Sequence, residues 1–180
     1  MKRAFAYVAA LVLIIISTAA LAAKVGEPAP NFTAVDSNGK SHTLAAYHGK
    51  FVVLEWHNQG CPYTQKHYNS GNMERLQKEW TQKGVIWLTV ISSAPGTQGY
   101  VTADGENDYM RKLNAAPTAA LLDPSGDLGH LYGAKTTPHM FIINPEGRIV
   151  DDWSDGRVGT ILAAKGGVAA ALQALMSGKK

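Results

Sequence analysis

Only one cysteine, Cys61, occurs in the 180 residues. The chain therefore builds no internal disulfide, which excludes the disulfide-stapled scaffolds common among small exported proteins. A lone cysteine is either a small buried hydrophobe or a reactive thiol, including one that pairs between molecules. Phosphate-cradling chemistry is missing too. No glycine-rich loop runs into a helix with the lysine that a nucleotide site needs. Gly-x-Ser-x-Gly is absent, so the common serine-hydrolase elbow is excluded. No cofactor is expected. Charge of one sign is scarce: 17 basic side chains face 14 acidic ones, and without Lys2 and Arg3 the balance falls to +1. No basic stripe suggests nucleic acid.

Long apolar runs are limited to the N terminus. Lys2 and Arg3 precede an apolar stretch from Ala4 to Ile16, and Ala20-Leu21-Ala22 is a small-x-small cleavage site. This pattern reads as a secretory signal peptide over residues 1–22. It implies a periplasmic or secreted protein, with residues 23–180 as one domain and no membrane contact after cleavage.

What is present alternates between strand and helix. Phe32–Val35, the turn Asp36-Ser37-Asn38-Gly39-Lys40, and Ser41–Leu44 read as a hairpin. Phe51–Trp56 and Val85–Ile91 are nearly continuous apolar runs, as in parallel strands buried on both faces. Pro62 fits the first turn of a helix. Met73, Leu76 and Trp80 share one helical face, and Gly84 can cap its end. Thr102–Leu113 is expected to be helical with Tyr109, Met110 and Leu113 inward. Ala119–Leu122 is a short strand, and Leu128–Tyr132 is a helical turn ended by Gly133. Asn144-Pro145-Glu146-Gly147 links Phe141–Ile143 to Ile149–Val150 as a hairpin. Ile161, Val168, Leu172, Leu175 and Met176 suit a last amphipathic helix, whose start Gly166-Gly167 delays. The order is βαβα, a connector, a hairpin and a helix, behind an N-terminal hairpin. Crossover pairs are then parallel and the late hairpin antiparallel.

In such sheets chemistry sits beyond the carboxyl ends of strands. Cys61 lies just past the first buried strand and opens a helix. Free N–H groups and the helix dipole there favour a thiolate, the nucleophilic form. A second feature is Thr137-Pro138 before the strand Phe141–Ile143; a proline in a tight bend there can be cis.

Strand, Cys-Pro opening a helix, then Thr-Pro before a strand and hairpin resembles the thioredoxin-like superfamily. Gly26-Glu27-Pro28-Ala29-Pro30-Asn31-Phe32, Gly39-Lys40 and Gly49-Lys50 resemble its redoxin branch, the alkyl hydroperoxide reductase and thiol-specific antioxidant family. The resemblance spans about Val25 to Trp153. It implies an α/β thioredoxin-like fold: a central mixed sheet flanked by helices, with an added N-terminal β-hairpin. It places Cys61 at the nucleophile position, Thr137 and Pro138 in the cis-proline loop against it, and Trp56 and Asn58 on the lead-in. The departures concern activity. Thr64 stands where Cys-x-x-Cys would put a second thiol. Leu54 and Asn58 replace the proline and threonine of Pro-x-x-x-Thr-x-x-Cys. His139 lies where peroxiredoxins bring an arginine, and Arg148 is beyond the hairpin turn.

Asn58 or Thr64 is a candidate donor to the thiolate or to a peroxide oxygen, and His57, His67 and His139 are candidates to surround it. His139 is the foremost histidine; Lys66 reads as a solvated helix residue. Glu55 is read two ways, as a buried carboxylate poised for proton transfer or as a turned-out edge residue. His57, Cys61 and His67 also permit copper or zinc, although exported copper chaperones of this fold supply two cysteines. The preferred reading is a one-cysteine peroxide reductase in which Cys61 becomes a sulfenic acid and an external thiol restores it. The catalytic set is Cys61, Pro138, Thr137, Asn58 and His139, with no metal. The alternative is thiol–disulfide exchange through a mixed disulfide that the chain cannot release internally. A third reading is a non-catalytic binding module of the same fold.

Overall fold

The computed structural model describes residues 23–153 and 167–178. The leader expected over residues 1–22, and Ile161 and Gly166 of the expected last helix, lie outside the described residues. The strands are β1 (Thr33–Asp36), β2 (Ser41–Thr43), β3 (Val52–Trp56), β4 (Ile86–Ile91), β5 (Ala119–Leu122), β6 (His139–Ile143) and β7 (Ile149–Trp153). The helices are α1 (Pro62–Asn69), α2 (Asn72–Gln82), α3 (Ala103–Lys112), α4 (Asp127–Tyr132) and α5 (Val168–Met176). None of the described helices is long and apolar enough to cross a membrane.

The seven strands form one mixed sheet, ordered β2-β1-β5-β4-β3-β6-β7. β3, β4 and β5 are mutually parallel, as their continuous apolar runs and crossover helices require. The late hairpin is antiparallel, and β6 pairs antiparallel with β3. The N-terminal hairpin joins the far edge through β1 against β5. Asp36 Oδ1 accepts from the Asn38 and Lys40 N–H groups at 2.8 and 2.9 Å, which closes the hairpin turn. Buried His42 then bonds Asp36 at 2.8 Å through Nε2 and meets the Tyr47 hydroxyl through Nδ1.

The sheet divides two cores. Leu54, Trp56, Leu88, Val90, Tyr132 and Phe141 pack on one face. Val53, Trp80, Trp87, Met140, Ile142 and Leu172 pack on the other. Every residue of β3 is buried, and each large aliphatic side chain there contributes roughly 2 kcal/mol of transfer free energy. The helical stretch that starts at Pro62 is two helices, broken where Gly71 adopts φ +69°. A side chain other than glycine is disfavoured in that conformation. In α3, Thr102 caps the N terminus by accepting from Gly105 N at 3.1 Å; Met110 is buried, while Tyr109 and Leu113 are half-buried. The last helix begins at Val168, after its glycines.

The topology positions the site. β3 delivers Cys61 beyond its C-terminal end. β6 runs the opposite way with His139 opposite Trp56, so the loop entering β6 reaches the same end of the sheet.

Candidate active site

Cys61 is the N-cap of α1, with φ −81° and ψ +124°, and Pro62 occupies the first turn. The Cys61 N–H donates to Asn58 O at 2.9 Å, and its carbonyl accepts from Gln65 N at 2.9 Å. Cys61 is partly exposed. As a thiol it donates to Thr137 O at 3.1 Å. The Thr137–Pro138 peptide is cis, and Pro138 is buried. Burial pushes the Cys61 thiol up. Hydrogen bonding from Thr137, the Thr64 and Tyr63 N–H groups and the Thr64 hydroxyl outweighs it and holds the thiol below its ordinary range. These donors belong to the loop before β6 and the first turn of α1, where backbone N–H groups have no helical acceptor.

Of the two candidate donors to the sulfur, Thr64 is in place and Asn58 is not. Thr64 is buried and its hydroxyl has no formed hydrogen bond while Cys61 is a thiol; ionisation makes it a donor. The Asn58 amide holds loops together. Its Oδ1 accepts from Gly60 N at 2.8 Å and its Nδ2 donates to Gln98 O at 3.4 Å. Gln98 Nε2 in turn donates to Gly60 O at 3.0 Å. Gly99 passes so close that a Cβ there would lie 2.3 Å from Asn58 Nδ2. Sequence reasoning missed Gln98 and Gly99, which lie in a segment with no hydrophobic period.

Sequence expectation put His139 among the groups around the sulfur; both of its ring nitrogens are bonded elsewhere. Its Nε2 pairs with Asp152 Oδ1 at 2.7 Å, and its Nδ1 accepts from Lys135 N at 3.4 Å. Its ring stacks on Phe141 with centroids 4.6 Å apart. The pleat explains this: residues 139 and 141 share a face of β6. His57 is fully buried against Tyr68, and burial alone pushes its pKa down to about 3, so it is neutral. His67 is buried, and burial and Lys66 lower its pKa. Lys66 is exposed. Among the described residues no three His, Cys, Asp or Glu side chains gather as a metal site.

Glu55 is the buried carboxylate of its two readings. Oε1 accepts from Tyr68 Oη at 2.8 Å; Oε2 accepts from Trp87 Nε1 at 2.7 Å and Gln77 Nε2 at 3.1 Å. Burial raises its pKa despite those three donors. Beside Thr137 opens a polar cleft walled by Trp56, Asn58, Ser93, Ala134 and Lys135. Trp56 is fixed there by donating to Ser92 Oγ at 3.0 Å, and Ser92 donates to Asp123 at 2.5 Å.

A family model described as the AhpC/TSA family matches residues 25–151. The chain belongs to the AhpC/TSA family. The match covers β1 through most of β7, including Cys61 and the Thr137–Pro138 loop. Among curated relatives of this AhpC/TSA chain, "Thiol-disulfide oxidoreductase ResA" of Bacillus thuringiensis subsp. konkukian is 26% identical over 131 residues, 72% of this chain and 69% of that protein. A hypothetical protein from Sinorhizobium meliloti 1021 superposes with a TM-score of 0.74 at 20% identity, covering 89% of this chain and 88% of that one. An exposed lipoprotein thioredoxin from Streptococcus pneumoniae superposes at 0.60 with 25% identity, covering 82% of this chain and 99% of that one. The fold is thioredoxin-like, with a mixed sheet flanked by helices.

Proposed function

We propose that the protein is a one-cysteine thiol–disulfide oxidoreductase acting outside the cytoplasm, with Cys61 as nucleophile. The observation that carries this reading is Cys61, a partly exposed residue at the N terminus of α1 with its sulfur 3.1 Å from Thr137 O. Family membership and relatives named as thiol–disulfide oxidoreductases support thiol-dependent oxidoreductase chemistry. Those relatives favour exchange over the peroxide reduction expected from sequence. The site geometry agrees. The Asn58 amide is occupied by the loops. Arg148 Nη1 donates to Gly26 O at 2.8 Å, beyond the far end of β6. Among the described residues the peroxidase constellation thus lacks both its threonine and its arginine at the sulfur.

In this reading the Cys61 thiolate attacks one sulfur of a partner disulfide and expels the other as a thiolate. Thr137 and Pro138 present backbone to the partner, and the cleft beside Thr137 takes the segment flanking its disulfide. Thr64 occupies the position of a resolving thiol and cannot attack, so an external thiol releases the mixed disulfide. The relatives' names and the exposed-lipoprotein neighbour support an extracytoplasmic setting, consistent with removal of residues 1–22. Residues 23–180 then act as one redoxin domain.

The test treats reduced protein with a small aromatic disulfide and, in parallel, with hydrogen peroxide, followed by intact mass. Exchange predicts one half of the disulfide on Cys61, lost on adding a dithiol and absent in Cys61→Ser. Rapid addition of oxygen without a mixed disulfide would replace this reading with the peroxidase one.

A further inference from the structure

Beneath the Cys61 site, several buried polar atoms have no hydrogen bond among the described residues. They include both ring nitrogens of His57, Thr64 Oγ1, Thr89 Oγ1, Glu74 Oε2 and both carboxylate oxygens of Glu106. His57 and Glu106 are 1% and 0% exposed. These groups share one layer between the sheet and helices α1 to α3. The His57 ring packs on Tyr68 at 4.9 Å and on Tyr109 at 5.4 Å. Tyr109 lies one turn after Glu106 on α3, and Glu106 acts electrostatically on Tyr68 and Tyr109. The Tyr68 hydroxyl bridges to Glu55. Thr64 marks the end of the layer nearest the sulfur.

An unmet buried polar group costs about 1–3 kcal/mol, so such groups are normally bonded to protein or water. Here a neutral imidazole, hydroxyls and an uncharged carboxyl offer donors and acceptors to bridging water. We propose that Thr64, His57 and Glu106 border a buried hydration site that carries protons to and from the Cys61 reaction, with Glu106 as the residue that stores the proton. The proposal rests on the exchange reading. While Cys61 is a thiolate, Glu106 is protonated and the pair holds one negative charge. Attack on a disulfide forms the Cys61–sulfur bond, breaks the partner's S–S bond and releases a thiolate. Glu106 gives up its proton, through water and His57, and the leaving group departs as a thiol. The external thiol then attacks the partner's sulfur in the mixed disulfide. Its proton returns to Glu106, Cys61 is freed as a thiolate, and one disulfide has been exchanged for another.

The titratable groups clustered around Glu106 are Glu55 of β3, His57 just after that strand, Tyr68 of α1, Glu74 of α2 and Tyr109 of α3. Burial and the Glu55 charge push Glu106 up to about 7. Burial also raises Glu55, Glu74 and the two tyrosines, Tyr109 to about 12, and lowers His57 to about 3. Glu106 is therefore a group able to change charge near neutrality.

Infrared difference spectra of the reduced full chain over pH test this directly. A protonated-carboxyl band should titrate near neutrality, vanish in Glu106→Gln and return in Glu106→Asp. Blocking Cys61 with iodoacetamide removes the thiolate charge and should move that midpoint to lower pH, a measurement that needs no variant. Exchange by Glu106→Gln should lose its inflection near neutrality and slow about a hundredfold, the low end of acid–base contributions. A titrating band that survives in Glu106→Gln, or a midpoint unmoved by blocking Cys61, overturns the proposal. Failure of native Cys61 to form any mixed disulfide overturns the exchange reading instead, whatever the band does.

Discussion

At the scale of single residues, the Cys61 sulfur is set between burial, which opposes its ionisation, and converging donors, which favour it. Thr64 is the donor that mutation removes most cleanly. Thr64→Val keeps the shape and deletes the hydroxyl, so the Cys61 pKa should rise, while Thr64→Ser should restore it; the pH dependence of iodoacetamide alkylation measures both. Glu55 holds three buried donors on two oxygens. Glu55→Ala leaves those donors unmet and should cost roughly 3 kcal/mol or more in urea unfolding. The placement of Cys61 was legible in sequence because Pro62 and the preceding apolar run mark a helix start and a strand end. The directions of Asn58 and His139 were not. Nearness in sequence to Cys61 or Pro138 says nothing about which face a side chain takes. The pleat turns His139 onto the Phe141 face, and loop hydrogen bonding captures Asn58.

Among the elements, the strand runs and the turn signals fixed most boundaries within a residue or two. The break between α1 and α2 carried its own signal, Ser70-Gly71-Asn72, which the helical pattern of Met73, Leu76 and Trp80 obscured. The clasp between residues 58–60 and 97–99 left no such trace, because it consists of loop hydrogen bonds between segments distant in sequence. It nonetheless anchors the start of α1, since Cys61 N bonds Asn58 O. Gly99→Ala tests it. The new Cβ would lie 2.3 Å from Asn58 Nδ2 on a residue with φ +84°. Stability should fall by about 1–3 kcal/mol, and the alkylation rate of Cys61 should change with it. A variant with unaltered unfolding midpoint and unaltered thiol reactivity would show that the clasp does not position the sulfur.

For the molecule as a whole, the parallel centre and the antiparallel late hairpin of the sheet followed from apolar runs and the order of elements, but the docking of β1 on β5 did not, because edge pairing is not encoded locally. The buried acids also act globally. Glu106 has a folded pKa of about 7 against an ordinary 4.5. Its raised value favours the folded state fully below pH 4.5, and that advantage is lost as pH rises through about 7. His57, lowered from 6.5 to about 3, has the opposite slope, because the unfolded chain binds its proton first. Between roughly pH 4.5 and 6.5 the two offset each other. Relative to Glu106→Gln, the native protein should therefore lose about 1.4 kcal/mol of stability per pH unit across that window, measured by urea unfolding at several pH values. Equal slopes in both proteins would show that Glu106 ionises alike folded and unfolded. The central claim is that Cys61 is an ionised, reachable nucleophile for disulfides. Its most direct test is the rate of mixed-disulfide formation between reduced protein and an aromatic disulfide as a function of pH. The account predicts adduct on Cys61 alone, with a midpoint below the free-cysteine value of about 8.5; no adduct, or a midpoint at or above that value, would contradict it.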